Sequence, residues 1–262
     1  LMSGVKDVNM LGYLLSSDER YGLQKSSVTV GYQLSYPDET ISQLSPQECT
    51  KLKREGLYIC MIKNPNPVAK NVTPQLSDAA FIREKVPMTK EEIRHVSICK
   101  LHLKSDSVLY DVGSGTGSIA VEAASLSDDM EVYAIEQKEN AVQLITQNKE
   151  KHGLENIHVI NAKAPDGMDN LPVPTHAFIG GSGGNLKEII EALKAKNPHI
   201  RIVINAISME TICEIKEILS AYDVKNGDIV QLQVSRSKQI GHYHLMQAEN
   251  PVWICSFRFW KE

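Results

Sequence analysis

Residues Asp111 to Gly117 read D-V-G-S-G-T-G, directly after the apolar run Val108-Leu109-Tyr110 and directly before the small, helix-compatible stretch Ser118 to Ala124. That order is a strand, a glycine turn and a helix start. Glycines at 113, 115 and 117 carry no Cβ, so a ligand can come against bare backbone N–H groups at the mouth of the helix. The turn reads as a small-molecule cradle, with a plain tight strand-to-helix connection as the alternative.

The spacing of the glycines narrows the ligand. A dinucleotide fingerprint, G-x-G-x-x-G, needs its third glycine at position 118, where this chain has Ser118. The spacing present, acidic-x-G-x-G-x-G, resembles the first motif of class I S-adenosylmethionine (SAM) methyltransferases. Downstream, Glu131 to Ile135 reads as a second strand ending in Glu136, where a carboxylate can accept hydrogen bonds from both ribose hydroxyls. Since SAM and NAD share that ribose, Glu136 alone does not separate them.

Composition bounds the remaining classes. At 262 residues with 42% hydrophobic content, the chain is long enough for one large domain or one domain plus a smaller piece. A net charge of −4 with mixed signs and no basic stripe argues against a nucleic-acid partner. Five scattered cysteines without a C-x-x-C pair read as free thiols in a reducing cytoplasm. No apolar run approaches the roughly 20 residues of a membrane span, so no membrane partner is expected. His242 and His244 lack a third ligand at metal spacing, and no metal is expected either.

Alternation begins after residue 75. Strands are expected at Ile157 to Ile160, His176 to Ile179 and Arg201 to Ile204, with late strands around Ile229 to Val234 and Val252 to Phe259. Helices are expected from about Lys138 to His152, around Leu186, Ile189, Ile190 and Leu193, and around Ile212, Ile215 and Leu219. Strands alternating with helices give a mostly parallel, doubly covered sheet closed by an antiparallel pair. Ligands sit beyond the carboxyl ends of such strands, so the residues after them are the ones to read. They are Gly113 to Gly117, Glu136, Asn161-Ala162-Lys163-Ala164 and Gly180-Gly181-Ser182-Gly183-Gly184. Four glycines in five positions suit a close ligand approach, the alternative being a flexible connection. Ala164 is small enough to leave room for an adenine ring, or is simply a small loop residue.

The first 65 or so residues differ. Short strands are expected at Ser27 to Val30 and Leu57 to Ile62, with a helix around Pro46 to Arg54. Asn64-Pro65-Asn66-Pro67 and Pro74 then read as a linker, giving domains 1–70 and 71–262. A start at Leu1 and a front segment too poor in apolar residues for its own core suggest a remnant of something longer.

Several segments together carry a closer resemblance. Val86-Pro87-Met88-Thr89-Lys90, Asp111 to Gly117, Phe178 to Gly184 and Ala248-Glu249-Asn250-Pro251-Val252 look like the decarboxylating precorrin-6 methyltransferases of cobalamin biosynthesis, over about residues 77 to 260. Leu34 to Glu39 and Leu57 to Pro65 are similar to the tail of the C5-methylating tetrapyrrole methylase often fused ahead of them. The fold so implied is α/β, a class I SAM-methyltransferase Rossmann-like sheet, mostly parallel with a C-terminal antiparallel hairpin, preceded by a small α/β segment.

The activity implied is methylation of ring carbon C15 of precorrin-6B or cobalt-precorrin-6B, coupled to loss of carbon dioxide from the C12 acetate. SAM contacts fall on Thr89, Asp111, Gly113, Ser114, Gly115, Thr116, Gly117, Glu136 and Ala164. Thr89-Lys90-Glu91-Glu92 also reads as a capping box opening a helix with Ile93 and Val96. The substrate is expected at Gly180, Gly181, Ser182, Gly183, Gly184 and Arg236, with a cation for its carboxylates among Arg83, Lys85, Arg94, Arg236, Lys238, His242 and His244. No catalytic residue is assigned, since in-line methyl transfer demands alignment and exclusion of water rather than a protein nucleophile. The family further implies a homo-oligomer, a tetramer. An RNA methyltransferase and an NAD oxidoreductase are the rivals, the first opposed by net charge, the second by Ser118. Amino-group methylation is opposed by the lack of an Asn/Asp-Pro-Pro-aromatic loop after the fourth strand.

Overall fold

The computed structural model describes residues 4–17, 22–65 and 73–259. It divides into two compact units, Leu1–Lys70 and Asn71–Glu262. The expected Pro/Asn linker falls mostly on 66–72, outside the described residues.

In the first unit, helix α1 (Val5–Ser17) covers a three-stranded antiparallel sheet ordered β2-β1-β3, made of β1 (Ser27–Tyr32), β2 (Thr40–Leu44) and β3 (Tyr58–Lys63). Val28, Val30 and Tyr32 alternate toward α1, whose Val5, Val8 and Leu15 meet them in a small buried cluster. The expectation that this segment lacks a core is thereby corrected, because it overlooked α1. The expected helix at 46–54 shrinks to the single turn α2 (Pro46–Cys49). Its continuation is blocked by Asn9, whose side-chain amide donates to the carbonyls of Cys49, Thr50 and Leu52, the groups that further helix would have used.

The second unit is built on a seven-stranded sheet. In chain order it comprises α3 (Glu91–Leu101), β4 (Val108–Val112), α4 (Ser118–Ala124), β5 (Glu131–Glu136), α5 (Glu139–Lys151), β6 (Ile157–Asn161), β7 (His176–Ile179), α6 (Leu186–Lys196), β8 (Arg201–Ala206), α7 (Met209–Ala221), β9 (Val224–Leu232) and β12 (Val252–Phe259). The strand order is β6-β5-β4-β7-β8-β12-β9; β4 to β8 run parallel and β12 is antiparallel to both neighbours. Leu109, Phe178 and Val203 point to α3, α4 and α5, while Tyr110, Ala177 and Ile202 point to α6 and α7, so the pleat fills a core on each face.

Between β9 and β12 the chain makes an unexpected two-stranded ribbon, β10 (Ser235–Ile240) and β11 (Tyr243–Ala248), whose residues are all exposed. His242 and His244 lie on this ribbon, and among the described residues no group of three His, Cys, Asp or Glu stands together. All five cysteines are unpaired thiols. No described helix is long and apolar enough to cross a membrane.

Strand order decides where a ligand can sit. The chain leaves β4 toward β5 on one side and returns as β7 on the other, so the segments that follow β4 and β7 emerge next to each other.

Candidate active site

Those two segments are Gly113–Gly117 and Gly180–Gly184, and they touch. Gly180 N–H donates to the Val112 carbonyl at 2.9 Å, and Gly113 N–H donates to the Ile135 carbonyl at 2.9 Å. Gly113 has φ +69°, and a Cβ built on it would lie 2.3 Å from the Gly181 carbonyl oxygen. Glycine is thus required there twice, by the left-handed backbone and by main chain packed against main chain. At Gly181 the same Cβ would meet nothing within 4 Å.

Asp111 fastens the turn from beneath. Its Oδ2 accepts from Ser114 Oγ at 2.6 Å and from Ala120 N–H at 3.2 Å, while Oδ1 has no partner. Burial, with the nearby Glu136 adding to it, pushes its pKa from 3.8 up to about 7. The folded protein therefore retains a proton that the unfolded chain releases near pH 4. The associated stability is complete below that pH and lost as pH rises through about 7. Asp111→Asn is expected to flatten the decline in thermal midpoint between about pH 4 and 7, measured by calorimetry across that range. A variant with the native slope would refute the assignment.

A cavity of about 530 Å³ opens where β4, β5, β7 and β8 end, a size suited to a small-molecule ligand. All four segments that carry the sequence resemblance contribute to its wall, through Val86 to Lys90, Gly113 to Gly115, Gly180 to Gly183, and Glu249, Asn250 and Val252. Glu136 lines it from the end of β5, its carboxylate accepting from Gly115 N–H at 3.0 Å and Lys138 N–H at 2.9 Å. Ala164 lines it after β6.

Other expected residues stand elsewhere. Asp111, Thr116 and Gly117 lie beneath the turn and outside the cavity lining, as does Gly184 in the second loop. The capping box at Thr89 does not form. Lys90 is the N-cap, and Asp78 Oδ1 accepts from Glu91 N–H at 2.9 Å, a cap brought from thirteen residues away. Arg94 is fully buried in an ion pair with Glu122 at 3.0 Å, with Phe81 under its guanidinium, and cannot meet a substrate. Arg236 is engaged by Glu92 at 2.5 Å and by Glu249 at 3.7 Å, outside the lining.

The cations that do line the cavity are Lys90, 3.4 Å from Asp78, and Lys138 and Lys163, which form no ion pair among the described residues. Asn205, near the end of β8, and Ile207, just after it, also line it. Both follow the expected strand Arg201 to Ile204, in the same position as the site residues after the other strands. Asn205 is held by α3, exchanging hydrogen bonds with Ser97 Oγ at 3.0–3.1 Å.

A family model described as "Precorrin methyltransferase domain" matches residues 79–258. A protein from Pyrobaculum calidifontis, named probable cobalt-precorrin-6B C(15)-methyltransferase (decarboxylating), is 37% identical over 185 residues, 70% of this chain and 94% of its own length. Among solved structures, precorrin-6y C5,15-methyltransferase from Geobacter metallireducens superposes with a TM-score of 0.67 at 33% identity, over 74% of this chain and 98% of that one. The precorrin 8w decarboxylase of Methanobacterium thermoautotrophicum gives 0.64 at 32% identity, over 70% and 98%. Sheet order, the paired glycine loops and these matches converge: this chain is a class I methyltransferase fold and belongs to the precorrin methyltransferase family.

Proposed function

We propose that the second unit binds SAM and methylates C15 of precorrin-6B or cobalt-precorrin-6B, with loss of carbon dioxide from the C12 acetate. The observation that carries this reading is one cavity walled by both glycine loops, in a chain that spans 94% of a relative named for that reaction. The wall fits SAM. Gly113 to Gly115 lead to the N-terminus of α4, where backbone N–H groups suit a carboxylate. The Glu136 carboxylate suits the ribose hydroxyls, and the small buried Ala164 leaves space for adenine. Thr89 lines the same cavity.

Bound SAM supplies an electrophilic methyl group. The chain's own part is to align a ring carbon with it and to keep water out. Gly180 to Gly183 border the space in which the ring would lie. Lys138 and Lys163 offer positive charge to its carboxylates, and Ile207, 72% exposed at the cavity wall, offers an apolar shelf for the macrocycle.

Mass spectrometry of a turnover with either precorrin is expected to show one added methyl and one lost carbon dioxide; methylated product that retains the carboxylate would refute the reading. Calorimetry is expected to show binding of SAM and S-adenosylhomocysteine but not NAD. Gly181→Val is expected to lower turnover at least tenfold while sparing SAM affinity, because its side chain enters open space on the substrate side. Native turnover in that variant would remove the loop from the substrate site.

Residues 1–70 we assign to the tail of a C5-methylating tetrapyrrole methylase. The exposed Ile240, Tyr243, Leu245 and Met246 on the β10–β11 ribbon support a homo-oligomer, which we place at four subunits. Light scattering measures that number.

A further inference from the structure

At the other end of the sheet, roughly 15 Å down β8, a second cavity of about 290 Å³ lies where β8 begins and β12 ends. Strand register sets three basic residues in a row, the first of which lines it. Arg201 on β8 stands opposite Arg258 on β12, and Arg258 stands opposite Lys225 on β9. Residues paired across a ladder share a face, and like charges so placed repel.

Arg201 is only 4% exposed. Its Nε donates to the Lys100 carbonyl at 2.6 Å and its Nη2 approaches Ser256 Oγ at 3.5 Å, but no carboxylate pairs with it among the described residues. Asp228, the acid of this cavity, is held by Lys100 Nζ. A buried guanidinium is ordinarily paired. Here the Lys100 carbonyl at the end of α3 and, without a direct ion pair, Asp228 offset it, while further cations gather around it.

The ladder also opens above this residue. Between Ser256 and Arg258 the register with β9 slips, and Asn226, at φ +53°, and Gly227 bulge out to line the cavity. Bulges that interrupt pairing recur beside binding sites. Two neighbouring histidines report the local sign of charge. His102 is held below its usual pKa by burial, then by Arg201 and Lys100; His176 is pushed down to about 4 by burial, then by Arg258 and Arg201.

We propose that this cavity is a binding site for a small oxyanion, the phosphate or carboxylate group of a soluble molecule, with Arg201 as its buried anchor, Lys100 on its wall and Arg258 adding positive charge from the neighbouring strand. It is distinct from the methyl-transfer cavity, and it does not depend on the substrate assigned there.

Calorimetry of the full chain with inorganic phosphate and, separately, with citrate tests it. At least one anion is expected to bind at millimolar concentration or tighter, with the preferred one identifying the ligand group. Affinity is expected to fall about tenfold in Arg258→Met and in Lys100→Met, and to vanish in Arg201→Met. Binding is also expected to raise the pH midpoints of the His102 and His176 ring protons in NMR titrations. Should Arg201→Met fail to fold, the Lys100 and Arg258 variants decide the matter. Failure of both anions to bind, or undiminished binding in those two variants, would overturn the proposal.

Discussion

Replacing Gly113 with alanine is expected to disable both glycine loops at once. The left-handed backbone there costs a residue with a Cβ on the order of 1–2 kcal/mol. The larger effect is steric. The new methyl carbon would sit 2.3 Å from the Gly181 oxygen and 2.8 Å from its nitrogen, so main chain must move on one side or the other. Either movement displaces the turn assigned to SAM or the loop assigned to the ring, and a misplacement of about 1 Å costs on the order of 100-fold in rate. The expected result is at least a 100-fold loss of turnover, with S-adenosylhomocysteine affinity by calorimetry clearly weakened. Gly181→Ala is the matched control: its Cβ meets open space, so the fold and cofactor affinity should persist. Native-like affinity in Gly113→Ala would show that the loops are not packed as described.

That contact also marks how far the sequence could be read. Each glycine loop was legible, because a strand, a glycine turn and a helix start follow one another along the chain. Their contact was not, since it depends on β7 returning beside β4, a long-range fact of strand order. Both ends of the helix at 139–151, and the start of the one at 186–196, lay within a residue or so of the expected positions because their apolar spacing is strong. The start of α3 was misread because its cap comes from Asp78 in space and not from Thr89 next to it. Ribbon β10–β11 was missed for a related reason: with all its residues exposed, it has no buried face to impose an alternating pattern.

Arg94 is the sharpest such case, and it leads to the second large expectation. From sequence it was a cation available to a substrate carboxylate. In the structure it is the centre of a buried knot that holds segment 75–90, one wall of the cavity, against α3 and α4. Its guanidinium donates to Glu122 at 3.0 Å, to the Thr89 carbonyl at 2.8 Å and to the Leu76 carbonyl. Glu122 in turn accepts from the N–H groups of Gln75 and Leu76 at 2.7 and 2.9 Å. Both side chains of the pair are fully buried.

Glu122→Ala removes the only fully buried counter-charge of that guanidinium, leaving it the partly buried Asp78 at 3.3 Å, and orphans two backbone donors, so about 3–5 kcal/mol of stability should be lost. For a unit of this size that corresponds to a fall of roughly 10 °C in thermal midpoint. Arg94→Met should cost a similar amount, whereas a substrate-contacting arginine would change KM and leave the midpoint in place. The double variant Glu122→Leu/Arg94→Met discriminates further, because replacing both charges removes the uncompensated one. Its loss should be smaller than the sum of the single losses by 1 kcal/mol or more. Strict additivity, or an unshifted midpoint in Arg94→Met, would contradict the buried knot and return Arg94 to the substrate.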